Sequence, residues 1–67
     1  MSYRFVYPTG EIATLTPAQH TAMVKVADRW QMGSPVEVSP MLGGDGAVMV
    51  NVGSMWLGVE PDGYTHS

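Results

Sequence analysis

A chain of 67 residues and 7.2 kDa, with no cysteine and two histidines, has room for one small domain. A disulfide framework, a thiolate metal site and a closed His-rich zinc centre are excluded. Only three residues are basic, too few for the roughly six to ten phosphates of a typical DNA binder, and no apolar run approaches the roughly 20 residues of a membrane span.

Tyr3-Arg4-Phe5-Val6-Tyr7 alternates and is rich in aromatic and β-branched residues, which predicts a strand. Pro8-Thr9-Gly10 reads as a turn, and Glu11 to Leu15, although its alternation is weak, is expected to return as the second strand of a hairpin. Thr16-Pro17-Ala18-Gln19 is a capping box with proline at the first helical position. Ala22, Met23, Val26, Ala27 and Trp30 come next at three- and four-residue spacing and define one apolar stripe. The helix is expected over 17–32, with Gly33 as the left-handed residue past its end and Pro35 preventing continuation.

Past the helix, Pro35 to Ser39 alternates with Val36 and Val38 on one face, and 40–46 reads as a glycine-rich loop. Ala47–Val52 and Met55–Val59 form two strands around Gly53-Ser54, a pair suited to a primed two-residue turn. That turn sets Val52 against Met55, Val50 against Leu57 and Val48 against Val59, six apolar residues on one face. The opposite face then carries Asn51 beside Trp56, Met49 beside Gly58 and Ala47 beside Glu60. Glu60-Pro61-Asp62-Gly63 is a turn, and Tyr64 to Ser67 a short tail.

The expected fold is therefore α+β, in two layers. One helix packs on a curled antiparallel sheet of four to five strands, in the order ββαβββ. One helix covers one side of such a sheet, so the other side has to be solvated or docked. A tryptophan and a methionine beside a glycine favour docking. The candidate binding residues are Trp56, Met49 and Gly58 as an apolar centre, with Asn51, Glu60 and Asp62 as a polar rim. Tyr3, Phe5 or Tyr7 are candidate neighbours.

No motif carries catalysis. Gly43-Gly44-Asp45-Gly46 lacks the lysine and the succeeding helix of a phosphate loop. Asp45, Glu60, Asp62 and His66 match no calcium-loop spacing. His20 has no locally spaced partner for base catalysis. Neither enzyme activity, nor a metal, nor a cofactor is expected. Charge is uneven: residues 1–36 hold all three cations against two carboxylates, and residues 37–67 hold four carboxylates and no cation. Direct nucleic-acid binding and membrane insertion are not expected. With no basic-then-apolar leader at its start, the chain reads as cytoplasmic. A thin core in so weakly charged a chain favours a homo-oligomer.

Thr14-Leu15-Thr16-Pro17-Ala18-Gln19, and Trp56 through Ser67, resemble small accessory proteins of bacteriophages. The resemblance rests on cap and turn residues and brings no catalytic residue with it. It implies an interaction protein that binds and inhibits a bacterial host protein. Two alternatives remain: an oligomer that sequesters a nucleotide-like ligand, with Trp56 or a tyrosine on the base and Arg4, Lys25 or Arg29 on the phosphate, and a minor structural component of a virion or larger assembly.

Overall fold

In the computed structural model, which describes residues 3–67, a strand β1 (Phe5–Val6) precedes a helix α1 (Pro17–Arg29). Four more strands complete the chain: β2 (Val36–Pro40), β3 (Val48–Asn51), β4 (Trp56–Val59) and β5 (Thr65–His66). They form one sheet in the order β1-β2-β3-β4-β5, with α1 packed on one side. One helix on a five-stranded α+β sheet is the architecture expected from the sequence. The fifth strand has a different origin.

The N-terminal hairpin does not form. Residues 11–15 are not a strand, and β1 instead pairs in parallel with β2, Phe5 opposite Val36 and Val6 opposite Glu37. The order is thus β-α-β-β-β-β, and the sheet is mixed rather than antiparallel throughout. Parallel neighbours need a long crossover, which α1 supplies. The turn at Pro8-Thr9-Gly10 does form, the Gly10 N–H donating to Tyr7 O at 2.9 Å. The segment beyond this turn competes poorly for a sheet edge. Ala13 and Leu15 lean on the core, while Ile12 is 81% exposed. Val36 and Val38 are fully buried and alternate with an exposed Glu37, so β2 is the better partner.

The capping box is present in full. The Gln19 N–H donates to Thr16 Oγ1 at 3.0 Å, and the Thr16 N–H donates to Gln19 Oε1 at 2.9 Å. Met23, Val26 and Ala27 are buried from the expected stripe. The helix ends three residues earlier than expected, and Trp30 is its C-cap, 47% exposed and out of the stripe. Closure comes from the Met32 N–H donating to Ala27 O and the Gln31 N–H donating to Asp28 O, the Schellman pattern. The left-handed residue is therefore Gln31, at φ 51°, and not Gly33. This register lets Met32 pack against the core.

The β3–β4 register is the one expected: Val48 opposite Val59, Met49 opposite Gly58, Val50 opposite Leu57, Asn51 opposite Trp56. Val48, Val50, Val52 and Val59 join Val36 and Val38 beneath α1. The turn at 60–63 closes through the Gly63 N–H donating to Glu60 O at 2.8 Å, with Gly63 at φ 91°. The residues after it do not trail off as a tail. Thr65 and His66 pair with Val59 and Gly58 as β5. Among the described residues, no helix is long and apolar enough to cross a membrane.

Candidate interaction surface

Strand alternation turns Ser39, Met49, Gly58 and His66 to the side of the sheet away from α1, in one row across four strands. Asn51 and Trp56 form the next pair along on the same side. Of the expected centre, Trp56 is 39% exposed and Met49 half-buried. Leu42, in the loop after β2, is fully exposed. An indole left this accessible on an uncovered sheet face has apolar surface still to bury.

Gly58 does allow a close approach, but part of what approaches belongs to the same chain. A Cβ there would lie 2.6 Å from His66 Cε1 and 2.8 Å from Met41 Cε. The imidazole and the thioether methyl lie over the glycine and fill the dip between Met49 and β5. His66 is held in place on its other side: its Nε2–H donates to Glu60 Oε2 at 2.8 Å, the ionised carboxylate being acceptor-only. Tyr64 stacks on the imidazole with centroids 5.9 Å apart and planes 23° apart. Sequence reasoning misses Met41 and His66 on this face, because both reach it only once Met41 N–H is bonded to Ala47 O and β5 has paired.

The face also has a hollow. Ser39, Pro40, Met41 and Met49 line an open depression of about 400 Å³, with Thr9 and Glu11 also along it. It lies toward β2, whereas Trp56 stands on β4, two strands away. Neighbouring strands are about 4.8 Å apart, so the hollow and the indole are about 10 Å apart across the strands, with Trp56 also offset along them by two residues, about 7 Å, from the Met49 row.

The rim divides. Asn51 and Glu60 are on the Trp56 side of the sheet, and the Asn51 Oδ1 accepts from the Gly53 N–H at 3.1 Å. Asp62, expected on the same rim, lines a groove on the helix side with Lys25 and Arg29, because the turn that carries it folds against the start of α1. There the Thr16 hydroxyl donates to Pro61 O at 2.6 Å. Tyr3, Phe5 and Tyr7 pack against the core rather than beside Trp56, and Phe5 meets His20 edge-on at 5.6 Å. Trp56 and the cations Lys25 and Arg29 stand on opposite layers, so one protomer does not bring ring and phosphate-holding groups together. Among the described residues, no group of three His, Asp or Glu side chains is placed to hold a metal.

Comparison with known proteins brings no family model, no curated protein and no solved structure that matches the chain.

Proposed function

We propose that this is a non-catalytic interaction protein that works through the sheet face opposite its helix, and that the first occupant of that face is a second copy of the chain. The observation that carries the reading is the accessible Trp56 indole together with, two strands away on the same surface, a depression lined by Met41 and Met49. A two-fold interface is self-complementary, so projection and hollow must both lie on one patch. Packing two such faces together seats each indole in the other's hollow. Methionines suit that floor because their unbranched side chains adapt to the shape they receive.

The composition supports the same reading. A 67-residue chain without disulfides gains most from burying one more apolar face. Of the charges on this face, Glu60 is occupied by His66 and Glu11 lines the hollow, while Glu37 on β2, exposed and on the same side as Ser39, is a carboxylate that a second copy must meet across the interface. A polar margin around an apolar centre is the ordinary anatomy of an interface.

Sedimentation velocity over a dilution series tests this. The chain is expected to associate reversibly, and Trp56→Ala, which removes both anchors of a two-fold dimer, to weaken association about 1000-fold with an unchanged circular dichroism spectrum, as for two hot-spot anchors worth about 2 kcal/mol each. Equal association in the variant contradicts the role of Trp56. A lone protomer at the highest soluble concentration contradicts self-association and leaves the face to a bacterial protein, the partner that the phage resemblance implies.

A further inference from the structure

Two of the chain's three cations, Lys25 and Arg29, line one groove of about 490 Å³ on the helix side. They are four residues apart on α1, about one turn, which puts their side chains on one face at about 5–6 Å between Cβ atoms. Among the described residues neither is ion-paired. Thr21 from the helix and Thr65 from β5 line the same groove. Ala22 and Val26 supply an apolar floor.

We propose that this groove binds a small organic dianion: a phosphate monoester with a compact aliphatic body. Two cations without an ion pair among the described residues, with two threonines lining the same groove, match a doubly charged group better than a single carboxylate. The arginine fork provides two parallel donors to adjacent phosphate oxygens. The volume falls within the range of small-molecule sites. No aromatic ring lines the groove, so nothing there stacks a nucleobase; the floor instead fits an alkyl chain.

Asp62 sets the upper limit on charge. Its carboxylate stands on the wall contributed by the turn after β4, where its Oδ1 accepts from the Tyr64 N–H at 3.0 Å. A single phosphate at the Lys25–Arg29 end is neutralised locally. A di- or triphosphate would extend its charge toward Asp62 in a chain of net charge −3. The site thus selects for one phosphate and against polyanions. It is independent of the proposed protein-docking face, which lies on the other side of the sheet.

The test is a titration of the isotope-labelled full chain with n-butyl phosphate, monitored by backbone amide NMR, beside n-butyl alcohol, butyrate and inorganic phosphate. Butyl phosphate is expected to move the amides of Thr21, Gly63 and Thr65 saturably and to bind more tightly than any of the other three. Lys25→Ala and Arg29→Ala are each expected to weaken it about tenfold, the scale of a lost hydrogen bond to a charged group. Both positions are exposed, and unchanged spectra away from the groove establish that the variants fold. Trp56→Ala is expected to bind as the wild type does, whatever its oligomeric state. Absence of saturable movement at these amides, or equal binding by both cation variants, overturns the site. Inorganic phosphate or butyrate binding as well as butyl phosphate overturns the ligand class.

Discussion

Gln19 shows how much one side chain does in a small core. Among the described residues it is the one buried polar side chain, and both its Oε1 and its Nε2 are hydrogen-bonded. Its Oε1 accepts from Thr16, and its Nε2 donates to Gly46 O at 2.8 Å and Val59 O at 3.2 Å. The capping box gives it a role at the helix start; the structure adds a link from that start to the loop before β3 and to the end of β4. Gln19→Ala removes a buried donor to the Gly46 and Val59 carbonyls and the side-chain acceptor of the Thr16 N–H, and is expected to cost about 2–3 kcal/mol by urea unfolding. A loss near the few tenths typical of an exposed position would contradict this. Tyr3 carries a contact with a pH signature. Its hydroxyl donates to Asp28 Oδ1, which holds the phenol above its ordinary range, with desolvation and the Asp28 charge adding in the same direction. A raised pKa means that the folded state favours the neutral phenol. The contact therefore stabilises fully below about pH 10 and is lost as pH rises through the folded-state value. NMR titration of the Tyr3 ring is expected to show ionisation above that of a free tyrosine, and Asp28→Ala to bring it down; no change in Asp28→Ala would refute the cause.

At the scale of elements, the part legible in the sequence is local. The Thr16–Gln19 cap and the Gly53-Ser54 turn each determine the geometry of residues a few positions away, so the start of α1 and every β3–β4 pair can be derived from them. The pairing of β1 is not legible, because it depends on which distant edge offers the better partner, and no pattern within 3–15 contains that information. β5 has two residues, too few to show a period. The helix end differs from expectation for a physical reason: glycine is the preferred left-handed residue, yet the closing bonds put Gln31 there. A side chain at φ 51° is strained relative to glycine. Gln31→Gly is expected to raise stability by about 0.5–1 kcal/mol in urea unfolding, and a loss would contradict the assigned closure.

For the whole molecule, the decisive fact is the imbalance between one helix and a five-stranded sheet. The six valines of the core strands lie beneath α1, and the other side is furnished with methionine, histidine and tryptophan, which are larger and more adaptable. Alternation along β3 and β4 is enough to place Trp56, Met49 and Gly58 on that side. It does not foretell that His66 and Met41 occupy the glycine, because both arrive from segments that alternation alone does not orient. Nor does it separate Asp62 from Asn51 and Glu60, since the turn between them changes layer. What remains accessible is an indole and, two strands away, a hollow that can receive one. Isotope-filtered NOE spectroscopy on an equal mixture of labelled and unlabelled chains reads that pairing directly. Cross-peaks between the Trp56 indole of one chain and the Met41 and Met49 methyl groups of another are the expected result. Intermolecular cross-peaks that avoid Trp56, or none at all at concentrations where the ring stays accessible to a solvent quencher, would contradict it.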